Sequence, residues 1–418
     1  MVLFSYTNKT NENDAQNWWI TILNLNENFS VVLGNDSYDH LTMAMNPEEI
    51  VGSYRQSRPV LLYIASTIFM LGKIFSNYME YFGITAPDDF IINYAGFIGI
   101  NVFIMLCNFF LVEKLLLKKG DSLKTWIAVL FINLIMITDD LVKGFIFSAH
   151  YQMFQFSVPL ISLVLLQWFQ EQGVITWRIV VTCGFVAGFL LLTYAAFLIL
   201  SASLGIYIIY FFWKDPRIIT TKEKLMAILK HTSVYTICFI TPTLVWSFTL
   251  AYYFDVKETG LIEIKKFNQF IWFWESYNSE GLRGMVIEMC RRLPLFFESL
   301  IKESWFYFLG FLFFIALNCY SKNKVKLLIT NAKKSKITMS FLICLIPSTI
   351  FWYFEGLYIW RYMRTFITIA IVALGWVAIT LIRTEHQNSK INYILLTLFA
   401  LLSLQLYNQL SHKIDDWS

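Results

Sequence analysis

Charged side chains are scarce in this chain: 15% of its 418 residues are Asp, Glu, Lys or Arg, against 57% hydrophobic. One soluble core cannot hide that much apolar surface, so the composition excludes an ordinary soluble domain and leaves repeated membrane crossings. Cysteine is thin as well. The six, at 107, 183, 238, 290, 319 and 344, have no ligand-like spacing, which argues against a disulfide framework and a zinc site. The five histidines, at 40, 150, 231, 386 and 412, show no chelating pattern. A Walker loop, a dinucleotide fingerprint and a Ser-His-Asp order are missing, and the net charge of +4 marks no nucleic-acid patch.

Aromatic residues abound: 39 Phe, 22 Tyr and 14 Trp suit lipid-facing surfaces and interfacial belts. Apolar runs recur at residues 59–76, 90–112, 125–138, 145–169, 178–213, 233–254, 304–320, 337–353, 363–382 and 391–408. Their lengths predict helices, not barrel strands. The run 178–213 is too long for one crossing at about 1.5 Å per residue, so Thr193-Tyr194 is read as a tight turn between two short helices. The expectation is an all-α polytopic membrane protein with about 10–11 membrane helices.

Lysine and arginine set its orientation. Lys114, Lys118, Lys119 and Lys124 mark one cytoplasmic loop, and Lys214, Arg217, Lys222, Lys224 and Lys230 a second. Lys322, Lys324, Lys326, Lys333, Lys334 and Lys336 mark a third. This threading leaves 77–89, 139–150, 255–303 and 354–362 outside. Residues 1–89 are all outside if the run 59–76 lies along or dips into the outer leaflet, a reading that gathers the unusual residues on one face.

Residues 34–61 crowd acids, a histidine and arginines ahead of the first apolar run. Asp36 suits the start of a short helix, where its carboxylate accepts from free N–H groups, and Asn46-Pro47 stops that helix after about three turns. Pro59 opens a second helix, with Arg55 and Arg58 at its mouth. The threading brings Asp139-Asp140, Lys143 and His150-Tyr151-Gln152 to the same face, with Glu355, Trp360, Arg361 and Arg364. Ionisable groups at a membrane face are costly unless they serve a polar cavity or an ion pair, so their convergence marks a candidate site. Each alone is equally an ordinary helix-end residue.

A carboxylate in such a place can take a proton from an acceptor hydroxyl, while arginines and lysines hold a phosphate leaving group. The candidate substrate-binding residues are Tyr54, Arg55, Arg58, Lys143, Tyr151, Gln152, Glu355, Trp360, Arg361 and Arg364. No nucleotide pool exists outside, which points to a sugar carried on a long lipid phosphate.

The run Gly34–Leu61 has Asp36 ahead of Leu41, Met43-Ala44 and Asn46-Pro47, then Tyr54-Arg55 and Arg58-Pro59 opening an apolar helix. It resembles the first extracytoplasmic loop of GT-C type integral-membrane glycosyltransferases. The resemblance implies a GT-C-like helical bundle, a polyprenyl-phosphate-linked sugar donor and an essential carboxylate at Asp36, with Asp39 as its rival. It also implies a later outer-loop contribution from Asp139, Asp140 and His150. Enzymes of this type begin with a membrane helix that delivers the loop outside, whereas this chain starts directly with the loop.

The expected organisation is an extracytoplasmic segment with a juxtamembrane helix at 1–89, a transmembrane core at 90–254, an extracytoplasmic loop at 255–303 and transmembrane helices at 304–418. Partners are the lipid-linked donor, a glycan, lipid or protein acceptor, and membrane lipids, in the cell (inner) membrane. No cofactor is required. Asp139 and Asp140 with Asp36 or Asp39 could also hold a divalent ion, and a salt bridge to Lys143 accounts for the same acids without one. The alternative function is a multi-pass transporter or flippase, for which clear internal repeats and broken mid-membrane helices are lacking.

Overall fold

The computed structural model describes residues 20–24, 30–51, 53, 55–83, 85, 87–256, 270–318, 322–356, 358, 360–384 and 388–415. Two short strands, β1 (Ile20–Asn24) and β2 (Ser30–Gly34), pair antiparallel, with Ile20 opposite Gly34. A purely helical expectation did not contain them. Helices α1 (Asn35–Met45), α2 (Val60–Tyr81), α3 (Asp89–Leu116), α4 (Leu123–Ile137), α5 (Asp140–Phe145) and α6 (Phe154–Gln172) follow. Then come α7 (Trp177–Leu191), α8 (Phe197–Lys214), α9 (Thr221–Phe254), α10 (Ile271–Asn318) and α11 (Lys322–Lys334). The series ends with α12 (Lys336–Glu355), α13 (Trp360–Thr384) and α14 (Asn388–Asp415).

Among the described residues, eight helices are long and apolar enough to cross a membrane: α2, α3, α8, α9, α10, α12, α13 and α14. This is the architecture of a polytopic membrane protein. The gap from the ten to eleven crossings expected falls on α4 and α7, of 15 residues each, and on α6, which is diluted by four glutamines.

Local chemistry sets the ends of these helices. Asp88, Ser122, Asp139 and Thr176 each cap a helix by accepting from a backbone N–H of its first turn, and Thr220 with Glu223 forms a reciprocal capping box. α1 stops at Asn46-Pro47, and Thr193-Tyr194 lies in the turn between α7 and α8. The boundary expected near residue 304 is not an element boundary, because α10 runs on from Ile271 with one break at Glu280-Gly281. Glu288 pairs with both Arg291 and Arg292 within the helix, so these charges do not interrupt it.

α13 is the most buried of the eight. α7 and α9 approach closely at Gly184 and Gly188; a Cβ on Gly188 would lie 2.2 Å from the Phe239 carbonyl oxygen. α2 packs antiparallel on the first part of α3, where Ile68 meets Gly96, Ile92 meets Gly72 and Lys73 pairs with Asp89. Its first amide, of Val60, donates to the Leu192 carbonyl. α2 therefore runs from the middle of α3 back to its beginning and does not reach the end of the bundle where α3 finishes.

That far end gathers the lysine loops. Arg383 closes α13 onto Asp121 and the Leu116 carbonyl, Lys336 donates to the Gln170 carbonyl, and Trp177 stacks on His231. The opposite end carries α1, the α5–α6 connection, the α7–α8 turn and the junction of α12 with α13.

Candidate active site

α3 is the shelf on which the site is assembled. Asn93 Nδ2 donates to the Leu41 carbonyl at 2.7 Å, the Tyr94 hydroxyl donates to the Phe147 carbonyl, and Asn101 Nδ2 donates to the Ser148 carbonyl at 2.7 Å. These bonds lay α1 beside residues 145–151. His40 Nδ1–H then donates to the Ala149 carbonyl at 2.7 Å, and its ring lies 5.1 Å from His150 and 4.9 Å from Tyr151.

Two arginines converge on the same tyrosine. Arg55 donates to the Tyr151 hydroxyl, and the guanidinium carbons of Arg55 and Arg58 lie 4.9 and 5.7 Å from its ring centroid. Burial, and then the like charge of Arg55, push Arg58 down to about 10, against the opposing influence of Tyr194, Tyr362 and Glu355. Glu355 is itself buried at the end of α12.

A polar relay joins these groups to the bundle. Gln155 donates to the Tyr194 hydroxyl, which donates to Gln152 Oε1 at 3.3 Å. Gln155 Oε1 accepts from Thr365 at 3.0 Å, and Thr365 accepts from Trp352 Nε1 at 3.2 Å. Trp352 stacks on Tyr362 at 4.6 Å, and Arg361 lies 5.3 Å over the same Tyr362 ring.

A second cluster sits one turn further along α13. Asp139 Oδ1 caps α5, and its Oδ2 accepts from the Tyr307 hydroxyl and from Arg364 at 3.2 Å. Arg364 also faces Asp140 at 3.6 Å and Glu303 at 3.8 Å. Gln405 donates to the Tyr307 oxygen at 3.1 Å and to the Ile135 carbonyl at 3.0 Å. Both Asp139 oxygens are thereby engaged by the chain itself.

Asp39 is half-buried on α1, next to His40, whereas Asp140 is exposed. Asp36, Lys143 and Trp360 lie in α1, α5 and α13, but their side chains fall outside the described residues, as does the whole of Tyr54. His40, Gln155, Tyr194, Glu303 and Tyr307 were missed as site residues. Two signals pointed to them: His40 adjoins Asp39, and Gln155 follows Gln152 by three positions across the turn that opens α6.

The turn after Glu355 is covered by α10. Gly356 has φ +86°, and a Cβ there would lie 2.8 Å from Trp272 Nε1 and 3.3 Å from Arg292 Nη1, so glycine serves both the backbone and the space. Trp272 donates to the Phe354 carbonyl at 3.0 Å, with Arg292 over its ring at 4.5 Å. Next to this turn an apolar groove of about 210 Å³ opens between α8 and α12. It runs from Leu198 and Phe354 to Ile206 and Pro347. Among the described residues no three His, Cys, Asp or Glu side chains are grouped closely enough to hold a metal ion. No protein family, curated protein or solved structure matches the chain.

Proposed function

We propose that the chain is a membrane glycosyltransferase that moves a sugar from a lipid-phosphate-linked donor to an acceptor hydroxyl of a glycan, lipid or protein, at the extracytoplasmic face of the cell (inner) membrane. The observation that carries this reading is the placement of Arg55 and Arg58 on one tyrosine ring, with Glu355 acting on Arg58 and an apolar groove lined by Phe354, the residue before Glu355. Like charges crowded away from water repel, and a phosphate brought between them relieves that repulsion through charge-assisted hydrogen bonds. The groove takes the lipid tail, where each buried CH₂ contributes about 0.8 kcal/mol.

In the transfer step the acceptor hydroxyl gives its proton to a carboxylate of α1, Asp36 or Asp39. Its oxygen bonds to the anomeric carbon as the bond from that carbon to the phosphate oxygen breaks. The electron pair leaves with the lipid phosphate, which Arg58 and Arg361 stabilise. Asp139 acts at a distance by fixing Arg364 and the start of α13.

Donor recognition is testable by titrating the purified protein with a short prenyl phosphate and with the matching prenyl alcohol. The phosphate is expected to bind more tightly, and Arg58→Ala or Arg361→Ala to weaken it by about tenfold to a hundredfold. Arg58→Lys should not restore binding, because a point charge does not replace a planar fork. Equal binding of the alcohol, or unchanged affinity in both alanine variants, would remove the phosphate clamp.

A further inference from the structure

The lysine end of the bundle carries a feature that the proposed transfer does not use. Between Glu303 and Glu355 the chain contains no acidic residue, yet residues 322–336 hold six lysines. Most of them lie on α11, KNKVKLLITNAKK, a helix with a distinct apolar side.

Both ends of this segment are tied to the same end of the bundle. Lys324 Nζ donates at 3.2 Å to the carbonyl of Asn318, the last residue of α10. Just past α11, Lys336 Nζ donates at 2.7 Å to the carbonyl of Gln170, near the end of α6. A helix held at one level by both ends lies across the bundle and does not descend into it.

Val325, Leu328, Ile329 and Ala332 fall on one side of α11. Leu328 packs against the core, whereas Val325 and Ile329 are 41% and 51% exposed. Positions 322, 326 and 333 adjoin Ile329 on the helix surface, and 324 lies on the other flank beside Leu328. Cations bracketing an exposed apolar strip match a bilayer surface, with methyl groups at acyl-chain level and ammonium groups among headgroup phosphates.

We infer that α11 is a docking surface for anionic lipid headgroups in the leaflet at the lysine end of the bundle. The strip supplies insertion and the lysines supply selectivity, since a basic side chain near an anionic surface contributes about a fivefold preference. Positions 322, 326 and 333 together account for about a hundredfold. This holds whatever reaction the opposite end performs.

The test uses the full chain in phosphatidylcholine nanodiscs, with an environment-sensitive fluorophore on Ile329→Cys and with Cys290→Ser and Cys319→Ser to limit other labelling. Spin-labelled phosphatidylglycerol is expected to quench the fluorophore far more than spin-labelled phosphatidylcholine at equal mole fraction. The excess should disappear in the Lys322→Gln, Lys326→Gln, Lys333→Gln variant, and should fall with added salt in the labelled protein that keeps all six lysines, an arm that does not depend on the lysine variant folding. Equal quenching by the two lipids, or an excess indifferent to salt, would overturn the proposal.

Discussion

Arg364 is shared among three carboxylates while almost wholly buried, and Asp139, its nearest partner, has no exposed surface at all. Taking away one member of such a pair leaves a charge without compensation in a dry site. Arg364→Met is therefore expected to cost about 3–5 kcal/mol, and adding Asp139→Asn to recover part of the loss because the stranded charge is then gone. Thermal unfolding in detergent checks both variants, and a single variant as stable as the parent would show that the pair contributes nothing. Sequence reading found both residues as unusual charges near helix ends, but not as partners. A separation of 225 positions leaves no periodicity from which to infer contact. His40 stayed hidden for a related reason: its partner is the Ala149 carbonyl, a group every residue has.

At the scale of elements most of the helices were legible, because run length and punctuation are local properties. Asn46-Pro47 ends α1, and the long apolar run divides at Thr193-Tyr194. The continuity of α10 was not legible: its charged first part read as amphipathic helices separate from the apolar run 304–320, whereas Glu288, Arg291 and Arg292 neutralise one another at three and four positions' spacing and let one helix carry both. Helix contact surfaces were equally invisible, and Gly188 tests one of them. A Cβ there meets backbone of α9, which has no rotamer to yield, so Gly188→Ala is expected to destabilise by about 1–3 kcal/mol. Gly205→Ala, with nothing within 4 Å of its added Cβ, should leave the melting temperature close to the parent's. Equal melting of the two variants would mean that α7 and α9 are less tightly packed than their backbones indicate.

For the molecule as a whole, the acid and arginine cluster and the lysine loops lie at opposite ends of one helical bundle. The function proposed above puts the cluster on the extracytoplasmic side, the side that the positive-inside tendency favours for the end away from the lysines. Cysteine probes near Asp36 and Glu280 are expected to react with an impermeant reagent added outside, while probes near Lys119 and Lys334 stay protected. Protection at Asp36 with labelling at Glu280 would place α1 on the other side and dissolve the site. The shared end could be anticipated from charge placement, but the arrangement within it could not. The groove and the relay through Tyr194 depend on which helices become neighbours.

The central claim is that a carboxylate of α1 takes the acceptor proton during transfer from a lipid-phosphate sugar. The most direct measurement is turnover of such a labelled donor by the parent protein, Asp36→Asn and Asp39→Asn, after folding and donor binding are shown to be equal. The expected result is transfer by the parent and a loss of about a hundredfold to ten-thousandfold in Asp36→Asn. Collapse confined to Asp39→Asn would move the base one turn along the same helix, and near-normal turnover in both variants would contradict the account.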